Sequence, residues 1–222
     1  RFILFALSLM IFFGIFVETA GLIGLLIFMY ITNFFGIYML TYLNYLGELI
    51  VLLLFGSRVV SFDRVLFGKK AWFTHIENLR SFEIPVVRIL YGLALIYAGW
   101  SIKFQHQLLS VEVYNEYHLH DFFHASAQFI ASGAGLSEIV IGLFIVLGFA
   151  QRLTVLISLF FITLSLLYFK EMLWPHLMLY GISFSLIINS ADMLTIDRYL
   201  PQIIKTCWRF LFPKKATRKK LK

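Results

Sequence analysis

Glu138 and Glu48 are the residues that raise the question of chemistry. Each stands near the middle of an apolar run, Gly135-Leu-Ser-Glu138-Ile-Val-Ile-Gly142 in one case and Tyr45-Leu-Gly-Glu48-Leu-Ile-Val51 in the other. An ionisable side chain inside an apolar span is costly enough to need a reason. One reason is a carboxyl that fixes helix packing through a hydrogen bond; the other is a proton acceptor within a relay. The two readings stand level for Glu138, and packing is favoured for Glu48. Lys103, Lys170 and His176 are the outer cations that would meet Glu138, several residues of helix above it.

The segment 103–128 carries a second set of reactive side chains: His106, His118, His120, Asp121 and His124. His120 and His124 are four apart and share a face if that stretch is helical. With Asp121 or His118 beside them they would suit zinc or copper. The competing reading is an interfacial segment whose Tyr117, Phe122 and Phe123 dip into the bilayer while the histidines ride at headgroup level. That reading is favoured, because no spacing here matches a full ligand set. Lys170, Glu171, Trp174, Pro175 and His176 form a nearby turn, with Pro175 suited to a first helical turn and Trp174 to an interface anchor. Lys103, His106, Trp174 and His176 are therefore the expected lining of an outer cofactor pocket, with Glu138 beneath it as the catalytic candidate.

The elements that must position these groups follow from composition. The 222 residues are 60% hydrophobic and 14% charged, with a mean hydropathy of +0.85. A soluble domain needs about a quarter of its residues charged to solvate its surface. The chain therefore reads as an all-α, polytopic transmembrane bundle whose partner is the lipid bilayer. Its apolar runs are continuous, without the alternation of barrel strands. Seven spans are expected, at about 2–17, 19–35, 38–57, 86–102, 129–149, 153–169 and 175–190. The first run begins at Phe2, directly after Arg1 and without a basic leader, which suggests a preceding helix and eight spans in a longer parent.

Charge sets the orientation. With the C-terminus cytoplasmic, 16 of the 19 Lys and Arg residues fall inside, and only Arg1, Lys103 and Lys170 fall outside. The positive-inside rule thus gives seven spans with the first residue outside. The net charge of +7 is an orientation signal and a basic tail, and nucleic acid is not an expected partner. Residues 201–222, with Trp208, Phe210 and Phe212 among eight basic side chains from Lys205 onward, read as a cytoplasmic strip drawn to anionic lipid. Residues 67–85 read as an interfacial cytoplasmic linker. The lone Cys207 excludes an intramolecular disulfide.

An internal repeat organises the spans. Laying Asp63-Arg64 on Asp197-Arg198 sets an offset of 134, which places Gly14 on Gly148, Phe35 on Phe169 and Gly47 on Gly181 without a gap. Two units of like orientation follow, 1–66 with three spans and 86–200 with four. Each Asp of the pair is expected to cap a short interfacial helix, and each Arg to meet headgroup phosphate.

The second unit has Arg88 before its first span, Gly92 and Gly99 along it, and Lys103 at its outer end. Gly135, Glu138, Gly142, Gly148 and Arg152 follow in order, and Thr195-Ile-Asp197-Arg198 closes the unit. This order resembles the DoxX family of small four-helix membrane proteins. The first unit departs from it, with Glu18 in the place of Arg152, so copy two is the expected owner of any site. The resemblance implies a bacterial inner-membrane protein that is a membrane subunit or accessory of a redox system, with quinone as the candidate carrier beside Glu138. Other membrane or periplasmic redox subunits would be its partners. The alternative is a non-catalytic assembly or anchoring subunit of a larger membrane complex, kept close by the absence of any Rossmann, haem-ligand or iron–sulfur pattern. A transporter ranks third, because few spans are charged or broken by Gly and Pro.

Overall fold

The computed structural model describes residues 2–56, 62, 65, 79–119, 125–170 and 172–201. Among them the chain is helical throughout: α1 (Phe2–Phe13), α2 (Val17–Phe35), α3 (Leu43–Phe55), α4 (Glu83–Trp100), α5 (Gln107–Glu116), α6 (Ala127–Leu147), α7 (Gln151–Tyr168) and α8 (Leu173–Ile188). All except α5 are apolar, as a helix that satisfies its own backbone in lipid must be. The stretches Val17–Phe55, Leu79–Gln105, Ala127–Leu147 and Gln151–Tyr168 are long and apolar enough to cross a membrane, and Phe2–Phe13 and His176–Ile188 are shorter apolar helices. This is an integral membrane protein.

The first of those stretches is bent back on itself. Gly36, with φ +56° and ψ −136°, ends α2, and a 3-10 segment, Gly36–Tyr42, leads into α3. A side chain added at Gly21 would strike the backbone of Leu53, one at Gly24 the side chain of Leu49, and one at Gly56 that of Glu18. Falling numbers on one arm therefore meet rising numbers on the other, and α2 and α3 form an antiparallel hairpin. The bend falls at the break expected between the spans 19–35 and 38–57, and Gly36 is the residue that makes it.

Helix ends are set by turn chemistry. Gly148 takes φ +63° after α6, its N–H meets Ile145 O at 3.1 Å, and Phe149 N–H meets Phe144 O at 3.0 Å. This is the Schellman closure, which satisfies carbonyls that the helix leaves orphaned. After α1 the same bonds recur, Gly14 N–H to Ile11 O at 3.2 Å and Ile15 N–H to Met10 O at 2.8 Å, with Gly14 at φ +66°. Phe16 and Ala150, at φ +47° and +45°, then start α2 and α7. Every one of these pairs is 134 residues apart, the offset of the sequence repeat. Asp63 and Arg64 themselves lie outside the described residues.

In lipid, apolar contact alone gives helices little reason to associate, so close backbone approach and polar links carry the packing. Helices α4 and α6 pack most intimately. A Cβ at Gly92 would fall 2.6 Å from Gly142 O, and one at Gly99 would fall 2.7 Å from Gly135 O. The four glycines are thus the crossing surface itself. Val87 and Tyr91 of α4, Ile145 of α6, Val155 of α7, and Ile182 and Leu186 of α8 close a core. The Tyr91 hydroxyl meets Ser158 Oγ at 2.8 Å, and Thr163 Oγ1 meets Tyr180 Oη at 2.7 Å, tying α7 to α4 and to α8. Helix α3 packs on both α2 and α4, which joins the first three helices to the rest.

A polar knot locks the end of the bundle opposite the histidine-rich segment. Arg88 is fully buried. Its Nε donates to Asp192 Oδ2 at 2.8 Å, and Nη1 donates to Ile145 O at 2.7 Å and also to Val146 O. The guanidinium thereby finishes the carbonyl end of α6, where a cation is favoured. Asp197 corrects the sequence expectation. Its carboxylate caps a long apolar helix rather than a short interfacial one, accepting from Ala150 N–H at 2.8 Å and Gln151 N–H at 2.7 Å at the start of α7. The reason is that Asp197 N–H bonds Gly148 O at 3.1 Å, which carries its side chain to the free amides of the adjoining turn. Arg152 donates to Ser190 Oγ at 2.9 Å.

Candidate functional site

The glycine crossing of α4 and α6 places the one charged pair the sequence singled out inside the spans. One turn beyond Gly99, α4 continues into a single π turn, Ser101–Gln105, closed by His106 N–H to Ser101 O at 3.1 Å. Such turns are frequent at functional sites. A side chain at Gly135 would lie 2.8 Å from Lys103 Cβ and 3.0 Å from Phe104 Cε2, so the absence of one lets the lysine stem lie across α6. Glu138 follows Gly135 by one turn on the same face. Lys103 Nζ and Glu138 Oε1 form an ion pair. The expectation that several residues of helix separate the lysine from the glutamate is therefore corrected: the lysine stem runs over Gly135 and closes that gap.

The pair is neither sealed nor fully open. The side chains of Lys103 and Glu138 are 22% and 33% exposed, whereas those of Arg88 and Asp192 are 1% and 5% exposed. Glu138 Oε2 is buried and takes no hydrogen bond from the described residues. A short polar ladder stands above it, with Gln107 Nε2 donating to Ser132 Oγ at 3.0 Å and to Gln128 O at 3.5 Å. Trp100 and Phe104, their ring centroids 6.0 Å apart, flank the lysine on its own helix. Chemically, the arrangement offers an ammonium that donates, a carboxylate oxygen with free acceptor capacity, and aromatic neighbours.

Among the described residues no hydrogen bond or ion pair joins the remaining outer candidates to it. His106 is exposed at the join of the π turn and α5. Trp174 is 78% exposed on the first turn of α8. His176 Nδ1 lies 3.1 Å from Met172 O, at the start of its own helix. None of these contacts is with Lys103 or Glu138. His120 and His124 lie outside the described residues, as do Asp121, Glu171 and Cys207. Among the described residues no group of three His, Cys, Asp or Glu side chains is placed to hold a metal ion.

Glu48 stands differently from Glu138. It is half-buried near the middle of α3, one turn after Asn44, which is 3% exposed and whose Nδ2 has no partner among the described residues. The neighbouring Gly47 lies against Leu90 and Val87 of α4. The Arg88 knot is what sequence reasoning missed. An arginine in the second turn of α4 gives no sign that its partners lie 57 and 104 residues away.

Residues 84–171 match the family model described as DoxX, which spans α4 to α7 and includes the Lys103–Glu138 pair. No curated protein and no solved structure matches the chain.

Proposed function

We propose, from the DoxX match at residues 84–171, that the chain is a membrane subunit or accessory of a redox system whose Lys103–Glu138 pair receives a quinone-class carrier from the bilayer. The observation that carries this reading is the state of Glu138: paired through Oε1, with a buried Oε2 that no described donor reaches, on a side chain one-third exposed beside a glycine crossing. A carboxyl placed only to fix packing would have both oxygens satisfied, as those of Asp197 are.

The residues fit such a headgroup. Lys103 has donor capacity beyond its bond to Glu138 and orients a carbonyl oxygen. Glu138 Oε2 accepts from a hydroxyl and holds the proton released there, while Lys103 keeps the charge balanced. When bound, the carrier supplies the redox couple, gaining a pair of electrons and a pair of protons as quinone becomes quinol. The electrons are exchanged with a redox subunit outside this chain, on a membrane or periplasmic face. The two-unit organisation, seven crossings, a cytoplasmic C-terminus in the bacterial inner membrane and a tail held by anionic lipid belong to the same proposal. Its support is the recurrence of one turn geometry at an offset of 134 and the distribution of Lys and Arg. Organic extraction of the purified protein tests the reading. Quinone should be recovered near one equivalent from the wild type and lost from Glu138→Gln and Lys103→Met; equal recovery from all three removes the pair from binding.

One observation favours the second reading, a non-catalytic assembly or anchoring subunit. Arg88, Asp192, Asp197 and Tyr91 all spend their polar atoms inside the bundle. A wild type that purifies with a stoichiometric large complex and without quinone would select it.

A further inference from the structure

A lysine near the end of a spanning helix ordinarily runs toward the interface, where its charge is hydrated. Lys103 runs the other way. The glycine contacts between α4 and α6 fix the levels: a Cβ at Gly99 would fall 3.1 Å from Glu138 Cβ, and one at Gly135 would fall 2.8 Å from Lys103 Cβ. Gly99 and Glu138 therefore share one level, and Lys103 and Gly135 share the next, nearer to α5. From that outer level the Lys103 side chain turns back toward the middle of the bundle to pair with Glu138.

Its root stands midway between two polar positions. On α6, Glu138 follows Gly135 by three residues and Ser132 precedes it by three, so each lies about 4.5 Å along the axis from the level of the root. The four-carbon stem of a lysine is flexible. At the outer position Gln107 Nε2 donates to Ser132 Oγ at 3.0 Å and to Gln128 O at 3.5 Å. A hydroxyl and a carbonyl each carry two lone pairs, so both oxygens keep acceptor capacity for an ammonium. Two polar columns thus face each other, Lys103 and Gln107 on one side and Glu138, Ser132 and Gln128 on the other. The elements packed on the π turn bring few other titratable groups to this end: Tyr97 on α4, His106 at the join, and Glu112, Tyr114 and Glu116 on α5. His106, Glu112 and Glu116 are exposed, and Tyr114 donates to Ala125 O at 3.1 Å.

We propose that Lys103 is a two-position arm, its ammonium resting on Glu138 when that carboxyl is ionised and on Ser132 Oγ and Gln128 O when it is protonated. The proposal rests on the reading of Glu138 as the holder of a proton from a carrier in its quinol form. In that step an O–H bond of the carrier breaks, the proton bonds to Glu138 Oε2, and the electron pair stays on the carrier oxygen. The neutral carboxyl no longer holds the ammonium, and hydration draws the charge to the level nearer the interface. The arm moves without a change of covalent bonding. It carries one positive charge toward the α5 end of the bundle each time Glu138 is protonated, and returns it when the proton leaves.

Carbodiimide coupling of the full chain in lipid nanodiscs, read by peptide mass spectrometry, tests the arm without quinone. In the wild type it should join Lys103 to Glu138. Ser132→Asp, which keeps the ion pair, should add a product joining Lys103 to position 132, and Glu138→Gln combined with Ser132→Asp should give that product alone. With Ser132 unaltered, acetylation of Lys103 by a water-soluble active ester, measured against the exposed Lys170, should run about tenfold faster in Glu138→Gln than in the wild type, the effect of losing a charge-assisted hydrogen bond. Absence of coupling at position 132 from both Ser132→Asp chains overturns the proposal. Equal acetylation of Lys103 in the wild type and Glu138→Gln overturns it as well. Neither readout uses a carrier, so a fixed arm leaves the quinone reading to its own extraction test, and a chain that holds no quinone leaves the motion of the arm measured.

Discussion

Arg88 shows how much a single side chain can hold in this bundle. It is an ion-pair partner for Asp192 and the final hydrogen-bond donor for α6, and both groups are buried. Arg88→Met would leave Asp192 buried and uncompensated, a change that costs about 3–5 kcal/mol when a buried pair loses one partner. The expected outcome is a large drop in the thermal unfolding midpoint in detergent. Asp192→Asn added to Arg88→Met should recover part of it, because the second change removes the stranded charge. The Lys103–Glu138 pair should respond less, since both side chains are partly exposed and solvent or headgroups can take up some of the charge. The two sites differ in how far sequence could reveal them. Glu138 was legible because a carboxyl in an apolar run is anomalous on its face. Its partner was narrowed to three outer cations, Lys103, Lys170 and His176, but the reach of Lys103 was not legible, because distance was counted along one helix while the contact runs across two. Arg88 was unreadable as a cap, since backbone carbonyls leave no mark in a sequence.

At the scale of elements, glycine and a few short side chains decide where helices end and how closely they cross. Gly148 sits at φ +63°, and a Cβ there would fall 2.5 Å from the side chain of Thr195. Gly148→Ala therefore combines left-handed strain with a clash and should cost about 1–3 kcal/mol. Asp197→Ala, which frees the amides of Ala150 and Gln151, should cost about 1–2 kcal/mol. The two should not add fully, because Gly148 and Asp197 share one turn and one backbone bond. Denaturation of the single and double variants checks both the size and the shortfall. Helices α6 and α7 were legible within two residues at each end, because a glycine turn interrupts the apolar run between them. The 3-10 passage at Gly36–Tyr42 and the π turn at Ser101–Gln105 were not. The first is mainly apolar and aromatic, the second mixes Ser101, Lys103 and Gln105 with Ile102 and Phe104, and neither composition marks a change of winding.

For the whole molecule, the central feature is asymmetry between two ends of one bundle. One end is locked by Arg88, Asp192 and Asp197, and the other carries Lys103, Gln107 and the start of the histidine-rich segment. In the proposed orientation the locked end faces the cytoplasm. With Cys207→Ser as background, His106→Cys should react with a membrane-impermeant maleimide added outside intact cells, and Arg152→Cys only after permeabilisation. Reversed reactivity would invert the orientation. The proposed repeat rests on a handful of matched glycines and one Asp-Arg pair. The equal turns after α1 and α6 show why those glycines matched, since both close a helix in a left-handed conformation. Function was less readable than fold, because the features of the pair that matter are a free oxygen and a partial opening, and neither is a property of residue type. The most direct test of the functional account is photolabelling with an azido-quinone in native membranes, followed by peptide mapping. The account predicts attachment within Gly99–Gln107 and Gly135–Ile139, suppressed by excess unlabelled quinone and lost in Glu138→Gln. Labelling confined to other helices, or none that excess quinone displaces, would contradict it.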